Sequence, residues 1–205
     1  MHLVVDYGGV VVHHGDPHDH LPILGIEPDG LRRVALAYFG FRDGFLQHTE
    51  EYLDLLGTLA DAPRDACRAS LESRWLDPEF PAEHAAVLRE LAVDHTLVLF
   101  SNGVRPWIET VLADHGVLEC FDELVVSSEL GRAKPHPRGY VRCLPDSETP
   151  VAMVSDEYDE DLLMAETIGM ESVWVANEDD SPSREPDYRI DTVGELPTVV
   201  RELTP

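Results

Sequence analysis

The sequence predicts an α/β fold, a doubly wound parallel sheet with a helical segment inserted after the first strand. Three observations predict it. From residue 85 onward, short apolar runs alternate with amphipathic stretches of helical period, the pattern of parallel strands joined by helical crossovers. A single apolar run at the N-terminus is separated from that alternation by a long segment with helical spacing and no strand pattern. Three of the runs end in a small polar or acidic residue, Asp6, Ser101 and Asp156. Ligands of open α/β sheets bind at the carboxyl ends of the strands.

The first run is Leu3-Val4-Val5, stopped by Asp6 and followed by Tyr7, then Gly8-Gly9, which permit a sharp turn. His13 to His20 is polar, with four histidines, two aspartates, a Gly and a Pro. It reads as a solvated loop rather than a metal site, because no fixed ligand spacing is present. Leu31, Val34, Ala35 and Tyr38 share one helical face, Tyr52, Leu55, Leu56 and Leu59 a second, and Cys67, Leu71 and Trp75 a third. Tyr38, Phe39, Phe41 and Phe45 fit either packing or contact with a ligand. Asp77-Pro78-Glu79-Phe80-Pro81 closes the helical block. The expected division is therefore residues 1–13 and 82–205 as the sheet core and 14–81 as a helical insertion.

A helix is expected over Ala85–Leu91, a strand over Thr96–Phe100, and a helix from about Pro106 to His115. Strands follow at Leu124–Ser127, Val151–Ser155 and Ser172–Val175, with helices at Gly139–Leu144 and Glu160–Ile168. A short strand at Arg189-Ile190 and a helix from Leu196 end the chain. The right-handed crossover rule then puts Asp6, Ser101 and Asp156 on one sheet edge.

Charge narrows the partners. The formal net charge of the 205 residues is −25, which repels nucleic acid and anionic membranes. The acids are spread along the chain, a pattern suited to concentrated salt, where self-repulsion is screened. No apolar run is long enough to span a bilayer, and no signal peptide is recognised. The three cysteines have no metal or redox spacing and are expected as reduced thiols in the cytoplasm. Among the basic residues there is a single lysine, Lys134, so its place in the chain is informative.

Asp6, Ser101, Lys134 and Asp156 together suit phosphoryl transfer. Two nearby carboxylates repel unless a cation lies between them, and oxygen-only ligands favour magnesium. A carboxylate so neutralised can attack phosphorus. Hydroxyl, backbone N–H and ammonium donors then hold the phosphoryl oxygens. The site's work is positioning and charge neutralisation.

Read in order, these segments resemble the haloacid dehalogenase-like hydrolase superfamily across almost the whole chain. The resemblance rests on Asp6-Tyr7-Gly8-Gly9-Val10, Leu99-Phe100-Ser101-Asn102-Gly103, Lys134-Pro135 with Tyr140, and Ser155-Asp156 with Asp161, Ala165 and Gly169-Met170. Pro186 to Asp191 and Glu195-Leu196-Pro197 also look like this group. It implies a Rossmann-like core, a helical cap after the first strand, and hydrolysis of a small phosphate monoester, such as a sugar phosphate, through an aspartyl-phosphate. By resemblance, Asp6 is the nucleophile, and Mg2+ is held by Asp6, the Gly8 carbonyl and Asp156. Asp161 supports the metal or Lys134, Ser101 and Asn102 bind phosphate, and Lys134 neutralises Asp6 and the phosphoryl group.

One position departs from the family pattern. The second aspartate, two residues after the nucleophile, acts as general acid and base; here it is Gly8. Losing such a group removes about 100- to 10,000-fold of rate. His13, His14, Asp16 or water replaces it, or the leaving group needs little protonation, or the chain is a non-catalytic binding protein. A 2-haloacid dehalogenase is a further alternative, since a halide leaves without an acid. Such an enzyme needs no magnesium, however, and a site keeping Asp156 and Asp161 looks built for one.

Overall fold

The computed structural model describes residues 1–14, 49–176 and 181–204. Asp16, His18, Asp19, His20, the face Leu31, Val34, Ala35 and Tyr38, and the aromatics Phe39, Phe41 and Phe45 lie outside the described residues.

Six strands form one sheet: β1 (His2–Asp6), β2 (Thr96–Ser101), β3 (Glu123–Val126), β4 (Val151–Ser155), β5 (Glu171–Val175) and β6 (Tyr188–Ile190). All pairings are parallel and the order is β3-β2-β1-β4-β5-β6. The chain winds outward from β1 to β3, then returns to the other side of β1 as β4. The switch point is thus between β1 and β4, where the crevice of such a sheet opens. Asp6 pairs in register with Phe100, and Ser101 with Val126, so both stand at the carboxyl edge.

The apolar runs are continuous because the sheet is covered on both faces. Leu3, Val5, Leu97, Leu99, Ala152 and Val154 belong to one buried cluster; Val4, Val98, Phe100, Val125 and Met153 belong to the other. The first cluster is covered by α3 (Ala82–Leu91), α4 (Arg105–Asp114) and α8 (Leu196–Leu203). The second is covered by α6 (Pro137–Cys143) and α7 (Leu163–Thr167), while α5 (Ser127–Leu130) is a single turn after β3. The doubly wound parallel architecture read from the sequence is the one the chain adopts.

Between β1 and β2, α1 (Thr49–Ala60) packs on α2 (Arg64–Leu76), and α2 packs on α4. Tyr52, Leu53, Leu56, Cys67 and Leu71 form their shared interior, with Trp107 of α4. Leu53 replaces Leu59 on the buried face, and Leu59 is 43% exposed. The α1 stripe is therefore rotated slightly from the one the spacing suggested. His13 N–H donates to the Glu79 carbonyl at 2.8 Å, and Glu79 N–H returns a bond at 3.0 Å. The chain thus leaves and re-enters the core side by side.

The helix expected over Glu160–Ile168 starts earlier and in another form. Tyr158–Leu162 is a π-turn, and only Leu163–Thr167 is α-helical. Such wide turns are frequent at functional sites. Here the turn puts Asp161 inward, 3% exposed, beneath the carboxyl edge.

Candidate active site

The site is built from four chain segments that meet above β1 and β4. At the end of β1 the chain turns tightly, with Val11 and Val12 N–H both donating to the Tyr7 carbonyl, at 2.9 and 3.0 Å. Gly9 has φ +73°, and a Cβ there would overlap the Asp156 carboxylate. Only glycine lets the β1 loop lie against the carboxylate at the end of β4.

Asp6 is buried. Its Oδ1 accepts from Tyr7 N–H at 2.7 Å and faces the Lys134 ammonium at 2.8 Å. Lys134 Nζ also donates to Asp161 Oδ2 at 2.5 Å, and its side chain is only 4% exposed. The ammonium lies 5.4 Å from the Phe100 ring centroid, a contact that favours a cation there. The Ser155 hydroxyl sits between the two carboxylates, 2.8 Å from Asp161 Oδ2 and 3.3 Å from Asp6 Oδ2. Having one hydrogen, it favours the shorter bond to Asp161.

The loops after β2 and β3 are joined by Asn102, whose Oδ1 accepts from Lys134 N–H at 2.8 Å. That leaves the Asn102 amide NH2 for other partners. Ser101 Oγ accepts from Gly103 N–H at 3.0 Å, so its own hydrogen remains to be donated.

Three carboxylates, Asp6, Asp156 and Asp161, surround one ammonium. Burial pushes the Asp6 carboxyl up to about 8; the Lys134 charge opposes that, and Asp161 and Asp156 add to it. Burial also raises Asp156. Burial pulls Lys134 down, but the Asp161 and Asp6 charges outweigh it and hold the ammonium above the usual lysine range. Full ionisation of three carboxylates around one ammonium would leave excess buried negative charge, which a proton or a bound cation relieves. Among the described residues no three His, Cys, Asp or Glu side chains form a metal cage. The fitting donors are few and all oxygen: the Asp6 and Asp156 carboxylates and the Gly8 carbonyl. Asp161 is instead engaged with Lys134 and Ser155.

These residues line one open cavity of about 440 Å3, a size suited to a small molecule. Asp6, Gly8, Ser101, Asn102, Lys134 and Asp156 all reach it, as does Asp161. Of the candidates to replace an acid at Gly8, His14 lines the cavity, whereas the His13 ring packs edge-on to His84 at 5.2 Å. Trp75, which the spacing puts on a packing face, also lines the cavity, as do Glu157 and Glu160. Ser155 stands beside Asp156 in the resemblance with no role of its own; its hydroxyl, between Asp161 and Asp6, gives it one.

The model of the family described as haloacid dehalogenase-like hydrolase matches residues 26–169. A phosphoserine phosphatase from Thermus thermophilus is 26% identical over 172 residues, covering 82% of this chain and 68% of that protein. A glyceraldehyde 3-phosphate phosphatase from Methanopyrus kandleri is 26% identical over 208 residues, covering 95% and 77%. Among solved structures, a HAD phosphatase from Thermococcus onnurineus has a TM-score of 0.68 at 21% identity, covering 97% of this chain and 96% of its own. An L-2-haloacid dehalogenase from Xanthobacter autotrophicus has a TM-score of 0.71 at 20% identity, covering 98% of each chain. At these identities the two structures establish the fold alone. With its fold, strand-end residues and family match in agreement, the chain belongs to the haloacid dehalogenase-like hydrolase family, and it is a hydrolase.

Proposed function

We propose that the protein is a Mg2+-dependent phosphatase that hydrolyses a small phosphate monoester, a sugar phosphate among the candidates, through an aspartyl-phosphate on Asp6. One observation carries the reading: the Lys134 ammonium is locked between Asp6 and Asp161, while Asp156 supplies a further, unneutralised carboxylate at the same cavity. A halide-displacing enzyme has no use for that excess charge. The two curated relatives named as phosphatases point the same way.

Mg2+ would be held by the Asp6 and Asp156 carboxylates and the Gly8 carbonyl, with Asp161 acting on it through Lys134. Bound there, it would supply positive charge that offsets repulsion between Asp6 and an incoming phosphate. The chain's own groups do the rest. Tyr7 N–H and Lys134 fix the orientation of the Asp6 carboxylate. Ser101 Oγ–H, the Asn102 amide and Lys134 bind the phosphoryl oxygens, whose negative charge is spread in the transition state. An Asp6 oxygen attacks phosphorus, the bond to the ester oxygen breaks, and that oxygen takes a proton. Water then attacks the same phosphorus, the bond to Asp6 breaks, and inorganic phosphate leaves.

Residues 14–81 would act as a cap, entering and leaving the core at the His13–Glu79 pair and contributing Trp75 to the cavity wall. The charge of −25 argues against nucleic-acid or anionic-membrane partners. No described helix is long and apolar enough to cross a membrane. We place the protein in the cytoplasm, a reading supported by its three unpaired thiols.

Gly8 favours a second reading, a binding protein that keeps the site without turnover. Phosphate release over a panel of phosphate esters, with and without Mg2+, separates the two. Turnover that requires Mg2+ and disappears in Asp6→Asn supports the phosphatase. No release from folded protein sinks it, and a haloacid assay then tests the dehalogenase.

A further inference from the structure

We propose that His14 is the proton donor to the leaving group, in the place left empty at Gly8. The inference rests on the phosphatase reading and adds the residue that completes its chemistry.

The geometry is specific. Among the described residues, a Cβ built on Gly8 meets one neighbouring group within 4 Å, the His14 ring, whose Cδ2 lies 3.8 Å away. The imidazole thus takes the space above Gly8 into which a longer side chain at that position would extend. It lines the same cavity as Asp6, Ser101 and Lys134. The ring is held on two sides, edge-on to Trp75 at 4.7 Å between centroids and tilted against Tyr7 at 5.6 Å. Tyr7 follows the nucleophile and Trp75 comes from α2, so the imidazole is wedged between core and insertion. A fixed ring suits proton transfer, because the donor must lie within hydrogen-bond reach of the reacting oxygen.

An imidazole also fits the proton balance. The imidazolium N–H passes its proton to the ester oxygen as the phosphorus–oxygen bond breaks, releasing the alcohol. The neutral imidazole then takes a proton from the water that attacks the aspartyl-phosphate. Phosphate leaves, and both Asp6 and the imidazolium are restored. A ring nitrogen that gives its proton in the first step can take one back in the second, so one residue serves both.

The test compares two leaving groups in single-turnover experiments with Mg2+. An alkyl phosphate such as glycerol phosphate must have its leaving oxygen protonated; p-nitrophenyl phosphate releases a stabilised phenolate that needs no acid. In His14→Gln, alcohol release from the alkyl ester should fall about 100- to 10,000-fold. The first p-nitrophenol released should slow far less, giving a differential of about 100-fold or more. The double variant Gly8→Asp/His14→Ala returns an acid to the same space and should recover alkyl-ester turnover relative to His14→Ala. Thermal melts of each variant exclude unfolding as the cause.

Equal losses on both esters would make His14 a structural residue and overturn the assignment, as would no loss on either. If the wild type turns over neither ester with Mg2+, the phosphatase reading itself fails and takes this assignment with it. Wild-type turnover with an equal loss in His14→Gln removes only the assignment.

Discussion

Asn102 gives its side-chain carbonyl to the backbone N–H of Lys134 at 2.8 Å, tying the loop after β2 to the loop before α6. The residue expected only to bind phosphate also sets where the single lysine of the chain stands.

Asn102→Ala removes this tie together with the amide NH2. A backbone N–H without its partner costs about 1–3 kcal/mol where water cannot replace it. A displacement of roughly 1 Å at a catalytic group can cost about 100-fold in rate. The variant is expected to unfold at lower urea with Mg2+-dependent turnover down about 10- to 100-fold. Asn102→Asp keeps the acceptor but places a further carboxylate beside phosphate, so its stability should recover while its turnover should not. Urea melts and steady-state kinetics on both variants decide this.

Lys134→Met keeps much of the side-chain length and deletes the charge. Asp6 and Asp161 then face each other, buried and uncompensated. Breaking a buried ion pair on one side costs about 3–5 kcal/mol. Burial already raises Asp6, so as the pH falls the fold takes up protons and the excess charge is relieved. The deficit of Lys134→Met relative to wild type should therefore shrink between pH 8 and pH 5. An unchanged urea midpoint at both values would show that the ammonium contributes nothing to the fold.

His84 tests the opposite sign. It lies on α3, with Nδ1 3.2 Å from the Val11 carbonyl, and so donates to it. Burial lowers its pKa below the ordinary 6.5; the Val11 bond opposes this, the His13 ring adds to it, and Glu83 and Glu79 oppose it weakly. A histidine kept neutral in the fold binds its proton more readily when unfolded. Its contribution is therefore full above about pH 6.5 and is lost as the pH falls below that value. Asp6 and Asp156, both raised, act in the reverse sense, so the difference between wild type and His84→Gln isolates the histidine. That stability difference should narrow from pH 7.5 to pH 5; a constant difference would contradict the sign.

The sheet is legible in the sequence for a simple reason. Strands covered on both faces read as unbroken apolar runs, and a parallel strand ends where its carboxyl edge meets the site, at Asp6, Ser101 and Asp156. The side chains above that edge are less legible. Trp75 has the spacing of a packing residue on α2, and only the packing of α2 on α4 shows that it also faces the cavity. His14 lies in a histidine-rich loop where any ring is as plausible as another until Gly8 and Tyr7 are placed. The π-turn at Tyr158–Leu162 closes its hydrogen bonds one residue further on than an α-helix, too small a change for periodicity to resolve across so short a span. That difference determines that Asp161 reaches Lys134.

The net charge of −25 yields the last prediction. The surface ion pairs do not offset it: Arg64 with Glu50 and Asp54, and Arg105 with Glu129, are partly exposed pairs of the kind worth about 0–1 kcal/mol each. Self-repulsion among dispersed acids is long-range in dilute buffer and is cut off as the Debye length shrinks to about 3 Å at 1 M salt. The melting temperature should therefore rise steeply between about 0.05 and 1 M KCl and flatten above that, because screening saturates. NaCl should give the same curve, since screening depends on ionic strength rather than on the ion. Sucrose, which stabilises by exclusion from the protein surface rather than by screening, should give no such early steep rise. A melting temperature that stays flat in both salts would mean that the acids are neutralised within the fold, and the case for concentrated salt as the protein's natural setting would fall.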